Sequence, residues 1–170
     1  IDQRVEEVGA DGRLIWNNKG EVYNVNLTEK LLATVLAKLS NLIPEGGIWM
    51  NTQRPEWNDA NNALVGFGVS MVTLYYTRRL QQYLLELFSS VDFQEVAVSE
   101  EIAELLHAIH STFENHKHLL AGKFSDADRK EVLDSLGAAA STYRAGLYQQ
   151  SFSGNRVAVK ASDLVAFCQT

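Results

Sequence analysis

Long runs of apolar residues at helical spacing constrain this 170-residue chain more than any other feature of its sequence. Apolar residues that recur three and four positions apart form a stripe along one side of an α-helix. The pattern predicts helices over about residues 27–43, 68–88, 100–118 and 126–149, and a last helix that begins near residue 161. We therefore expect an all-α fold in which helical hairpins form one unit.

Two stretches depart from the helical pattern. Turn signals at Asp11-Gly12 and Lys19-Gly20 predict a short hairpin near the N-terminus. Residues 44–66 predict a long loop, and a loop longer than about 12–15 residues in a compact domain is usually functional or disordered. This loop contains two Trp and several Asn. We expect it to be ordered and to carry function.

The second predicted helix is unusual because residues 69–76 are apolar on nearly every side. A helix without a polar face is normally buried all round. Tyr75, Tyr76 and Tyr83 occur at helical spacing on this helix, and we expect them to lie in the core and not to contact a ligand. The chain begins at Ile1 without Met and stops soon after an unfinished helical segment. We expect residues 1–170 to be an excised part of a longer protein, whose remaining helices would pack against this one.

Charge and composition exclude several classes of protein. The chain has 15 Lys and Arg against 21 Asp and Glu, a net charge of −6, which disfavours nucleic-acid binding because phosphate contacts need clustered cations. The sequence has no apolar run of about 18 residues that could span a membrane. The single cysteine, Cys168, excludes a disulfide scaffold and favours a reducing, cytoplasmic location.

Potential metal ligands on the third predicted helix are better interpreted as a solvated polar face. Glu104, His107 and His110 follow one another at three-residue intervals and spread over roughly 120° of the helix. We expect no metal site there. His116 falls nearer the apolar side and is predicted to pack or to cap the helix end. Cys168 lies in an apolar run, so we expect a core residue and not a nucleophile.

The long loop contains the residue types of sugar chemistry in one segment, Glu56-Trp57-Asn58-Asp59. The indole of Trp57 offers a flat apolar face for a pyranose ring. Asn58, with Glu56 and Asn61 beside it, could hydrogen-bond to sugar hydroxyls. A carboxylic acid with a raised pKa can protonate a glycosidic oxygen. The alternative is that Trp57 is buried for packing and that Asp59 caps a turn.

Residues 54–62, followed by a glycine-bounded helix start at residues 66–70, resemble the cellobiose and chitobiose phosphorylases of the six-hairpin toroid glycosidase superfamily. The resemblance covers about residues 44–80. It implies an α/α toroid in which Asp59 is the general acid and Trp57 lines the sugar subsites. The helix start carries Ser70, which is expected to cap the helix, with a sugar contact as the alternative.

The segment also departs from the family pattern. Glu56 replaces the usual Asp, Ala60-Asn61 replaces a small and apolar pair, and Arg54-Pro55 replaces a glycine-rich approach. Two inverting reactions therefore stay open. A phosphorylase uses inorganic phosphate as co-substrate and needs no other cofactor, whereas a hydrolase needs a second carboxylate as base. We expect the phosphate pocket or base elsewhere in the longer protein. A non-catalytic helical interaction module is a third possibility.

Overall fold

Helices account for most of the chain in the computed structural model, which describes residues 1–51 and 67–170. The helices are α1 (Asp2–Val8), α2 (Leu27–Leu39), α3 (Met71–Ser90), α4 (Glu100–His116), α5 (Asp126–Gln150) and α6 (Ala161–Gln169), with short 3₁₀ helices at Gly9–Arg13 and Lys117–Ala121. The mostly helical fold confirms the expected class in its coarse form. Helix α1 was not predicted from the sequence.

Short antiparallel strands complete the described fold. Three strands, β1 (Leu42–Ile43), β2 (Gly47–Asn51) and β3 (Phe67–Ser70), form a sheet in the order β1-β2-β3. A second pair joins β4 (Glu95–Ser99) to β5 (Arg156–Lys160). The prediction of one loop over residues 44–66 is therefore wrong at its start, because Gly47–Asn51 is a strand. The strands β4 and β5 were also not expected.

Helix α2 begins where the sequence predicts and ends earlier. The Asn26 side chain accepts a hydrogen bond from the Glu29 backbone N–H and caps the first turn. At the other end, Ser40 Oγ and Asn41 Nδ2 both donate to the Ala37 carbonyl. These local side-chain bonds offer the backbone an alternative to further helix, and the chain turns into β1. The predicted extension of the helix to Ile43 is wrong.

The core lies where α2, α3, α4, α5 and α6 face one another. The apolar stripes predicted for α2 and α4 are confirmed, since both supply fully buried residues to this core. The buried apolar side chains from these two helices are Leu32, Val35, Leu36, Leu39, Ile102, Leu105, Leu106 and Ile109. Leu84, Phe88, Val132, Leu136, Leu164 and Phe167 complete the contacts from the other helices. The helices are therefore held together mainly by burial of apolar surface.

Helix α3 is buried along one side only, and within this chain its apolar first half is exposed on the other sides. Thr77, Leu84 and Phe88 face the core. The opposite sides leave Met71, Val72, Tyr75, Tyr76 and Tyr83 exposed. The prediction that the three tyrosines are core residues is wrong, because helical spacing identifies a shared face but not what covers it.

Capping and turn residues occupy several positions that their residue types favour. Ser125 and Asp128 form a reciprocal capping box at the start of α5. The N-terminal hairpin is present as a bridge between Trp16 and Val22. Gly137, inside α5, lies in open space, since a Cβ added there would meet no atom of another element within 4 Å. Among the described residues, none of the helices combines the length and apolarity needed to cross a membrane.

Candidate functional site

The candidate site residues from the sequence all fall in one segment between β2 and β3. Glu56, Trp57, Asn58, Asp59 and Asn61 lie outside the described residues. The structure does describe the two strands that enter and leave this segment. In the β2–β3 pair, Asn51 lies directly opposite Phe67. Paired residues of antiparallel strands have Cα atoms about 4.5–5.5 Å apart, so both ends of the segment are held together.

The inner face of the β2–β3 hairpin is fixed against the rest of the fold. Ile48 is fully buried, and Met50 Sδ lies 3.8 Å from the hydroxyl of Thr73 on α3. Ser70 Oγ accepts hydrogen bonds from the Thr73 backbone N–H at 3.1 Å and from Thr73 Oγ1 at 2.9 Å. The capping role expected for Ser70 is confirmed. The hairpin and α3 therefore form one anchored unit at the ends of the candidate loop.

The outer face of the same hairpin is exposed and apolar. Trp49 is 42% exposed and pairs across the strands with Val69, and the first residue of α3, Met71, is 45% exposed. Gly47 has a φ of 135°, and a Cβ there would lie 2.9 Å from Val69 Cγ1. Sequence reasoning missed Trp49 because the segment was read as loop. The available signal was weak: only Ile48 and Trp49 in the run from Gly47 to Asn51 are residue types that favour strands.

The solvated polar face predicted for α4 is present at Glu104 and His107 but not at His110. Glu104 and His107 are exposed, whereas His110 packs edge-on against Phe167 with ring centroids 5.9 Å apart. His110 Nε2 also lies 3.2 Å from Thr170 Oγ1. His110 is therefore a packing residue and not part of a solvated face. No group of three or more metal-ligating side chains comes together within residues 1–51 and 67–170.

His116 and Cys168 lie in the environments predicted from the sequence. His116 packs near the end of α4, where Nδ1 lies 2.7 Å from the Thr112 carbonyl and Nε2 lies 3.3 Å from Glu131 Oε1. Cys168 packs against the core, and burial raises the pKa of its thiol to about 11. A thiol of that pKa stays protonated near neutral pH, so it is a poor nucleophile.

A buried carboxylate ties three elements together on another side of the fold. Glu29 is 2% exposed and accepts hydrogen bonds from the backbone N–H and the hydroxyl of Ser99. Arg156 Nη1 lies 3.5 Å from Glu29 Oε2, and its guanidinium lies over the ring of Tyr23. Arg156 is the first residue of β5. This network joins α2 to β4 and β5 and is structural.

A cleft of about 430 Å³ lies between α4 and α5. Among the residues that the structure describes, its lining includes Glu100, Glu101 and Glu104 but no Lys, Arg or His. The Ser153 backbone N–H donates to Glu101 Oε1 at 2.6 Å. Burial, with the nearby Glu101 carboxylate, raises the pKa of Tyr143 in this cleft above its ordinary value. The negative charge disfavours anions, so the cleft does not supply a phosphate pocket.

No model of a known protein family matches this chain, and no curated protein gives a significant match. Any assignment of function therefore depends on the residues themselves and on how the described fold presents them.

Proposed function

We propose that the chain carries the catalytic loop of a carbohydrate-active enzyme that cleaves a glycosidic bond by inverting phosphorolysis. One observation carries the proposal: the segment Glu56-Trp57-Asn58-Asp59 lies between two strands that pair at Asn51 and Phe67. Functional residues are often placed on loops held by a rigid scaffold. The anchored hairpin supports such a role for residues 52–66.

In the proposed reaction, Asp59 donates a proton to the oxygen of the leaving sugar as the glycosidic bond breaks. Inorganic phosphate attacks the anomeric carbon from the opposite face, and the product is a sugar 1-phosphate with inverted configuration. Trp57 stacks on a sugar ring, and Asn58, Glu56 and Asn61 hydrogen-bond to sugar hydroxyls. Phosphate is both nucleophile and co-substrate, so the reaction needs no other cofactor.

We also propose that the chain is part of an α/α toroid. The described fold supports this with an antiparallel helical hairpin, α4 and α5, and with helices that share one core. Val72, Tyr76 and Tyr83 lie along one exposed side of α3, at spacings of four and seven residues. Neighbouring helices of a longer protein would cover that side. We place this protein in the cytoplasm, where the lone Cys168 suits a reducing environment.

Hydrolysis on the same fold is the first alternative. It would need a second carboxylate about 6.5–9.5 Å from Asp59 to activate water. Glu56 is only three residues from Asp59, and we assign it to a sugar hydroxyl instead. A second alternative is a non-catalytic interaction module. The exposed apolar side of α3 favours this reading, because such a module would present an apolar patch to a partner.

The test is release of sugar 1-phosphate by the full-length protein from a panel of α- and β-linked disaccharides, with and without phosphate. Asp59→Asn is assayed beside it, with the exposed Asp92→Asn as the matched control. Phosphate-dependent release that is lost only in Asp59→Asn supports the proposal. Release of free sugar without phosphate identifies a hydrolase. The absence of turnover by the folded wild-type protein on any sugar favours the interaction module.

A further inference from the structure

The proposed reaction assigns no role to the apolar residues on the outer face of the β2–β3 hairpin. Trp49 and Val69 pair on this face, the Met71 side chain lies near Val69 beside Gly47, and all three are at least one-third exposed. Single exposed apolar residues are ordinary on protein surfaces, but a contiguous group that includes Trp needs an explanation. This group lies near the ends of the proposed catalytic loop, because the Trp49–Val69 pair is two residue pairs from Asn51 and Phe67.

The backbone is built to bring these side chains together. Gly47 is in the left-handed region, with a φ of 135°, and a Cβ there would lie 2.9 Å from Val69 Cγ1 and 3.3 Å from Met71 Sδ. The missing side chain at Gly47 therefore lets Val69 and Met71 lie close to the strand beside Trp49. Directly opposite residues in such a pair have Cβ atoms about 4.5–5.5 Å apart. The indole of Trp49 therefore lies beside a shallow apolar surface formed by Val69 and Met71.

We infer that Trp49 is a sugar-stacking platform that binds a ring of the carbohydrate chain beyond the residues bound by the loop. An indole presents a flat apolar face and one N–H donor, which suits a pyranose with one apolar face and a rim of hydroxyls. Val69 and Met71 extend the apolar contact without adding charge. This inference rests on the proposed function, since the hairpin leads directly into the proposed catalytic loop.

The surface is separate from the side of α3 that we assign to neighbouring helices. Met71 lies about 100° around the helix from Val72 and about 140° from Tyr76. The surface formed by Trp49, Val69 and Met71 therefore belongs to the hairpin. Val72, Tyr76 and Tyr83 form a different side of α3. A carbohydrate on the hairpin and protein packing on the helix are compatible.

The test is nuclear magnetic resonance of the chain labelled at its three tryptophans, titrated with cellobiose, cellotetraose and N-acetylated chitotetraose. Each indole N–H gives one signal. Trp16 serves as the internal control because its Nε1 donates to the Asp11 carbonyl at 3.0 Å, far along the chain from the hairpin. We expect a tetrasaccharide to shift the Trp49 signal and leave Trp16 unchanged. Trp49→Ala should weaken tetrasaccharide binding by about threefold to tenfold.

Matched variants separate stacking from folding. Trp49→Tyr keeps an aromatic face and should retain most of the binding. Tyr148→Ala removes an 86% exposed aromatic side chain on α5 and should leave binding unchanged. A Trp49 signal that does not move with any of the three sugars overturns the inference. A Trp49→Ala variant that binds the tetrasaccharide as tightly as the wild type also overturns it. The same holds if Trp49→Ala changes the sedimentation coefficient of the protein and leaves its affinity for the sugar unchanged.

The same titration distinguishes this inference from the proposed function. A shift at Trp57 without a shift at Trp49 supports sugar binding by the loop and contradicts the platform. A shift at Trp49 without one at Trp57, together with no turnover by the full-length protein, supports the platform and contradicts the proposed role of the loop.

Discussion

Asn51 and Phe67 lie directly opposite each other in the antiparallel pair of β2 and β3. The two described residues that flank the segment containing Asp59 are therefore held next to each other at a single place. The inner side of that place is fixed by the buried Ile48 and by the cap that Ser70 forms on α3. The described structure thus gives the proposed catalytic loop a rigid base.

Replacement of Gly47 by Ala is expected to destabilise the hairpin. The residue has a positive φ, and the added Cβ would lie 2.9 Å from Val69 Cγ1 and 3.1 Å from the Ser70 carbonyl oxygen. We expect Gly47→Ala to lower the free energy of unfolding by about 1–3 kcal/mol in urea denaturation. The control is Gly137→Ala, inside α5 and in open space, which should raise stability by roughly 0.5–1 kcal/mol. Equal effects of the two changes would contradict the hairpin geometry.

Ser70 is expected to matter for stability and not for sugar contact. Ser70→Ala removes the acceptor for the Thr73 backbone N–H and should cost about 0.5–2 kcal/mol in the free energy of unfolding. Ser70→Asp restores a capping acceptor and should recover part of this loss. The kcat/KM for the disaccharide should stay close to wild type at a temperature where the variant is folded. A large fall in kcat/KM with normal stability would instead assign Ser70 to the substrate.

The Glu29 network is expected to hold α2 against β4 and β5. Glu29→Ala leaves the buried Ser99 N–H without its acceptor, so we expect a loss of about 1–3 kcal/mol in the free energy of unfolding. Glu86→Ala changes an exposed carboxylate on α3 and should stay within about 0.5 kcal/mol of wild type. Chemical denaturation of both variants provides the comparison. A Glu29→Ala variant as stable as wild type would show that the network contributes little.

Cys168 gives a prediction about pH. Burial raises the pKa of its thiol from 9.0 to about 11, so the folded protein keeps this proton at pH values where the unfolded chain loses it. The contribution of Cys168 to stability is present below pH 9 and is lost as pH rises towards 11. Alkylation by iodoacetamide at pH 8 should be much slower in the folded protein than in urea. Equal rates in the two states would contradict the burial of this thiol.

The helices were largely predictable from the sequence, because their apolar stripes and caps are local signals. Asn26 and the Ser125–Asp128 box cap helices that begin close to the positions predicted from the apolar pattern. The strands β2 and β3 were missed because each has only four or five residues and lies beside glycine. The burial of Tyr75 and Tyr76 was predicted wrongly because periodicity does not reveal the partner of a face.

The Glu29 network was out of reach for a different reason. Its partners Ser99 and Arg156 are 70 and 127 residues away in the chain, and no local pattern connects them. The anchoring of the candidate loop was also not predictable from local sequence, because it depends on the pairing of β2 with β3. The roles of Glu56, Trp57, Asn58, Asp59 and Asn61 stay predictions, since these residues lie outside the part of the chain that the structure describes.

The most direct test of the central claim compares two donors with Asp59→Asn in the full-length protein, in the presence of phosphate. A disaccharide needs a proton on its leaving oxygen, whereas a glycosyl fluoride of the same sugar has a leaving group that needs little help from an acid. We predict that Asp59→Asn loses at least about 100-fold in kcat on the disaccharide and much less on the fluoride. Equal losses on both donors, or no loss on either, would contradict Asp59 as the general acid.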